Sequence, residues 1–150
     1  MNTFEIIFQD KLIMTLDEDN NPIQIDCCLP VLGEGNNRIV YDMGDCVLKV
    51  AKFAIASMYN LNEIKLWNYL GEKSSKLKFN KIIDYDENGY WYVAEKINTD
   101  GNAMKKVLEY IEWLDYSDNA GYDINGKLTI VDAENVYIKD IEYLLQRNII

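Results

Sequence analysis

The chain has 150 residues, of which 49% are apolar or aromatic, enough to bury the core of one domain but not of several. It contains no histidine, which excludes histidine-dependent catalytic triads and the usual zinc sites. Its net charge of −10 sets it against direct contact with nucleic acid phosphates and leaves two readings, plain solubility or attraction to a basic partner protein. No apolar run approaches a membrane span, and no basic segment followed by an apolar stretch opens the chain, so a cytoplasmic protein is expected. Three cysteines, Cys27, Cys28 and Cys46, two of them adjacent, predict reduced, buried thiols. The usage is rich in lysine, with only Arg38 and Arg147 as arginines, and rich in Asn, Ile and Tyr. It points to an AT-rich genome, that of a low-GC bacterium or its phage.

In chain order, residues 1–30 read as an N-terminal extension. Phe4, Ile7, Phe8 and Leu12 fit helical spacing, while Leu12-Ile13-Met14 also suits a strand. The polar run 17–22 is a strong turn, and Ile23 and Ile25 resume an extended pattern, which predicts a hairpin lying against the next strand. A strand over Cys27-Cys28-Leu29 then leads into Gly33-x-Gly35. Strands over Ile39–Tyr41 and Val47–Ala51 follow, joined at Gly44-Asp45. Glycine has no Cβ, so Gly33 and Gly35 let the backbone lie close over a ligand such as a phosphate. An ordinary meander whose turns need glycine is the plainer reading. Lys49 stands inside an apolar run, where an unpaired ammonium is costly.

Residues 54–71 predict a helix stopped by Gly71. Glu63 shares a face with Tyr59, Leu66, Trp67 and Leu70, so it points inward and needs a cation, for which Lys49 is the natural partner. Asn88-Gly89 predicts a hairpin whose second strand runs from Tyr90 to Ile97. A linker over 98–102 precedes a helix over 103–116, with Met104, Val107, Leu108, Ile111 and Leu114 on one face. Asn125-Gly126 predicts another hairpin with Leu128, Ile130 and Val131 on its return strand. A last helix spans 137–147, with Ile138, Ile141, Leu144 and Leu145 on its apolar face.

Gly33-x-Gly35-x-x-x-x-Val40 followed by the strand of Lys49 resembles the nucleotide lobe of the protein-kinase-like fold. Residues 119–132, with Asn119, Gly121, Gly126, Leu128 and Asp132, resemble a segment of related phosphotransferases. The resemblance covers about 31–134 and implies an α+β fold: an antiparallel sheet with a packed helix over 31–97, then a reduced helical and hairpin part over 103–150. It implies that Gly33, Gly35, Val40, Lys49 and Glu63 line an ATP site, with backbone near Glu95, Lys96 and Ile97 facing the adenine. It implies that Asn119 and Asp132 hold Mg²⁺. Arg38 stands where the family's third loop glycine would be. Leu114 stands where the catalytic aspartate would be, leaving Asp115 and Asp118 as substitute bases. Ala133-Glu134 replace Phe-Gly after Asp132. The expected function is therefore a catalytically impaired kinase-like protein that binds a partner, a phage or bacterial inhibitor or regulator with a residual nucleotide site. The alternatives are an active Mg-ATP phosphotransferase and an acidic mimic of nucleic acid.

Overall fold

The computed structural model describes residues 3–19, 21–25, 27–71, 76–110, 120–132 and 138–149. The chain is α+β, with an antiparallel five-stranded sheet, a helix packed on it, and smaller sheets and helices around them.

Strands β1 (Phe4–Phe8), β2 (Lys11–Leu16) and β3 (Pro22–Ile25) form a three-stranded antiparallel sheet. β1 turns into β2 through Gln9 and Asp10, both at positive φ. That is the two-residue hairpin geometry usually signalled by Asn-Gly, here made without glycine. The helical alternative for this segment therefore does not form.

The central sheet runs in the order β4 (Val31–Glu34), β5 (Arg38–Asp42), β6 (Cys46–Ala51), β9 (Trp91–Glu95), β8 (Ile82–Tyr85). The expected strand over Cys27–Leu29 is not formed, and the edge strand begins at Val31 instead. The N-terminal hairpin, expected to lie against the glycine strand, shares no strand pairing with it and packs on the central sheet instead. β3 pairs with β2, and β4 pairs with β5. The small sheet covers the central sheet face to face, burying Ile6, Phe8, Ile13, Met14 and Leu16 against Ile39, Tyr41, Leu48, Val50 and Val93.

The opposite face of the central sheet receives α1 (Ser57–Leu70), which follows a single 3-10 turn, Ala54–Ala56, and ends at Gly71. Val47, Ile82, Tyr92 and Ala94 pack there with Ile64. β6 is thus covered on both faces, which is why its sequence reads as a continuous apolar run rather than an alternation. The three cysteines form no disulfide, but they are not buried as expected: Cys28 is exposed, and Cys27 and Cys46 are half-buried.

The second core joins α2 (Gly101–Tyr110) and α3 (Ile138–Gln146) to β7 (Lys78–Phe79), β10 (Ala120–Tyr122) and β11 (Leu128–Ile130). Met104, Val107, Leu128, Ile130, Ile141 and Leu144 are buried in it, as the spacing predicts, together with Leu66 and Leu70 from the end of α1. Leu145 lies at the edge of that core, 36% exposed. β7 runs parallel to β11, with Phe79 opposite Ile130. Ile111, Leu114 and the Ile138 side chain lie outside the described residues.

Candidate functional site

Sheet register builds the site. Gly33 pairs with Val40, Val40 with Lys49, and Lys49 with Tyr92, so four strands present one row of residues across the sheet. Strand alternation puts Arg38 on the same face as Val40, two residues before it. Gly33, Val40 and Lys49 of this row form one wall of a cleft of about 640 Å³ that is lined by Glu95, Ile97 and Asp132 as well, among others. Six sequence-predicted residues thus come together from segments a hundred residues apart. The volume falls within the roughly 300–1,000 Å³ of small-molecule sites.

Gly35 and Arg38 line an adjoining hollow of about 200 Å³ that meets the cleft at Asp132. A Cβ at Gly33 or Gly35 would meet no protein atom, so packing within the chain does not require glycine at either position. The turn between them and β5 is closed by Gly35 N–H donating to Arg38 O at 2.9 Å. Its rim is held by Lys52, which donates to Gly35 O at 3.2 Å and pairs with Glu34 at 2.7 Å.

The charged centre lies at the inner end. Glu63, 6% exposed on α1, makes its direct ion pair with Arg38 Nη1 at 2.7 Å. Arg38 also donates to Asn60 Oδ1 at 3.2 Å, Tyr92 Oη at 3.1 Å and Asp132 Oδ1 at 2.8 Å. The Tyr92 hydroxyl in turn donates to Glu63. Lys49, 3% exposed, donates from Nζ to Val131 O at 2.9 Å and sits over the Tyr92 ring. Lys49 and Glu63 are therefore neighbours in one centre, with Arg38 as the cation in contact with the carboxylate.

Burial pushes the Glu63 carboxyl upward, but Arg38 and then Lys49 outweigh it and hold it down at about 2. Burial likewise opposes the Arg38 charge, and the Glu63 carboxylate more than restores it. Asp132 is raised, first by burial and then by the like charge of Glu63, against the pull of Arg38 and Lys49. Tyr92 is raised by burial and by Glu63, so it stays a neutral donor.

The other expected residues divide as follows. Glu95 turns its side chain to Lys78 at 2.6 Å, and Lys78 also pairs with Asp123 at 3.0 Å. Its backbone N–H donates to Lys81 O at 3.0 Å, and Lys96 N–H donates to Asp45 O at 3.3 Å. Two of the three N–H groups of 95–97 are thus used within the chain. Asp115, Asp118 and Asn119 lie outside the described residues.

Of the two residues expected to hold Mg²⁺, only Asp132 is among those described, and its carboxylate is already engaged. One oxygen of Asp132 already accepts from a guanidinium, so positive charge stands where a cation would have to enter. Among the described residues no group of three or more His, Cys, Asp or Glu is placed to hold a metal ion.

Arg38, Asn60, Tyr92 and Asn80 are site residues to which no sequence motif points. Arg38 reads as a substituted loop glycine, although its alternation with Val40 puts it on the face of Lys49. Asn80, in the cleft wall, carries no sequence signal. Compared with known protein families and with curated proteins, the chain matches none. No helix among the described residues is long and apolar enough to cross a membrane.

Proposed function

We propose that this chain is a reduced kinase-like domain, catalytically impaired, that keeps a nucleotide-type cleft and acts by binding a basic partner protein. The observation that carries this reading is the Arg38 guanidinium bonded to both Glu63 and Asp132. Counted along the chain from β4, the strand bearing Lys49 is the third strand of the central sheet and β9, which leads to residues 96–99, is its fifth. That count agrees with the resemblance, as does a helix carrying an inward glutamate directly after the lysine strand. Phosphoryl transfer needs positioned positive charge on the phosphates and a metal between them. Here the charge of Arg38 is spent on two carboxylates, and the Asp132 carboxylate is spent on Arg38.

The cleft's ligand under this reading is ATP or a related nucleoside, taken without Mg²⁺. Lys49 and the glycine strand face it from one side and the 95–99 segment from another. The net charge of −10 favours a basic partner and disfavours nucleic acid. A phage or bacterial inhibitor or regulator in the cytoplasm suits these properties.

Labelled ATP with Mg²⁺ in a cell lysate tests the reading. No transfer above an Asp132→Ala control is expected, while a tagged chain retains its protein partner equally in the parent and in that variant. Turnover that Asp132→Ala abolishes would establish the alternative, an active phosphotransferase.

A further inference from the structure

Asn80 follows β7, and its backbone is fixed: its N–H donates to Ile130 O at 2.9 Å, continuing the parallel ladder of Phe79 with Ile130. Asn80 is 9% exposed, and among the described residues neither its Oδ1 nor its Nδ2 has a hydrogen-bond partner. Both atoms of one carboxamide are thus buried and unsatisfied on a backbone held by that ladder, so that a turn of the side chain toward the cleft is what brings them to a partner. Leaving such a group unpaired is costly, and nearly all buried polar groups find partners. Phe79, Ile82, Ile130 and Val131 around it are apolar, and Glu63 and Tyr92, which line the same small hollow, are engaged with Arg38 and with each other. The same side chain belongs to the wall of the 640 Å³ cleft, with Val47, Lys49 and Val131.

We propose that Asn80 is a ligand-binding residue of the cleft, whose carboxamide pairs with a donor and an acceptor on adjacent atoms of a small planar ligand, such as a purine, aminopyrimidine or carboxamide edge. A carboxamide offers one acceptor and two donors, so it matches that edge with two hydrogen bonds. An apolar residue would pack better in the unliganded chain, and the ligand repays the cost of the polar one. The inference rests on the cleft being a ligand site, and it holds for a planar ligand that is not a nucleotide.

Asn80→Leu, close in shape and apolar, separates this from a structural role. In the ligand-free chain it is expected to raise the melting temperature by about 2–4 °C, because it removes an unpaired buried amide. It is also expected to weaken binding of ATP or adenosine at least about tenfold. A lowered melting temperature would overturn the proposal, since the amide would then be satisfied within the fold, as by a water in the small hollow behind it. Unchanged binding would overturn it as well. The side-chain amide protons of Asn80, followed by NMR during addition of adenine, 2-aminopyridine and nicotinamide, supply a readout that does not depend on phosphate. If ATP and adenosine fail to bind while a planar fragment shifts those protons, the nucleotide reading falls and Asn80 stands. If no nucleotide and no fragment shifts them, Asn80 is not a ligand residue.

Discussion

At the scale of single residues, Arg38 decides the chemistry of the centre. Among its partners are Asn60, Tyr92 and two carboxylates, Glu63 from α1 and Asp132 from the segment after β11. Removing one partner from a buried pair strands the other charge, at a typical cost of about 3–5 kcal/mol. Arg38→Met should lose that much in urea denaturation. Lys49→Met should lose less, about 1.5–3 kcal/mol, because it removes a charged hydrogen bond to Val131 O while Arg38 still holds Glu63. The reverse order would mean that Lys49 is the principal cation of the centre. Glu63 and Lys49 were legible in the sequence because each breaks an apolar pattern. Arg38 was masked by its place in a glycine motif, where it reads as a missing glycine rather than as a side chain pointing inward. Asn80 was illegible because its meaning comes from neighbours fifty residues away, at Ile130 and Val131.

At the scale of elements, local signals located most strands and helices. Asn88-Gly89 and Asn125-Gly126 mark their turns, and Gly71 ends α1. The signals failed where pairing is long-range or the turn chemistry is unusual. The β7–β11 pair joins residues 78–79 to 129–130 in parallel, which no local pattern reports. The Gln9-Asp10 turn adopts positive φ without glycine, so the first hairpin stayed ambiguous with a helix. Gly121 was legible as part of a motif, and the structure supplies a packing reason for it. A Cβ there would press on Asn98 O and lie 2.6 Å from Ile97 Cγ2, at the bridge between Thr99 and Gly121. Gly121→Ala should therefore cost about 1–3 kcal/mol and displace the 97–99 wall of the cleft. Thermal unfolding checks the first part. Amide shifts of residues 97–99 check the second, and a variant that leaves both unchanged would show that this linker is not held by close packing.

At the scale of the whole molecule, the two covers of the central sheet have different consequences. The N-terminal sheet covers one face with an apolar core. On the other face α1 covers only part of the sheet, and the remainder opens into the cleft with Lys49 and Asp132 at its inner end. The net charge of −10 gives the molecule a long-range negative field, which is what the proposed basic partner would meet. The α+β class was legible through the resemblance, whereas the second core, which takes Leu66, Leu70, Leu77 and Phe79 from before residue 100, was not. The role of residues 1–30 was not, because a small sheet laid face to face leaves no motif in either sequence segment.

The central claim is that the cleft takes a nucleotide while Arg38 fills the place of its metal. Calorimetric titration of ATP into the protein, once with Mg²⁺ and once with a chelator, tests it most directly. The account predicts binding of similar affinity in both, since the cation beside Asp132 belongs to the chain. Heat that appears only with Mg²⁺ would contradict the role given to Arg38, and no heat in either titration would contradict the nucleotide reading of the cleft.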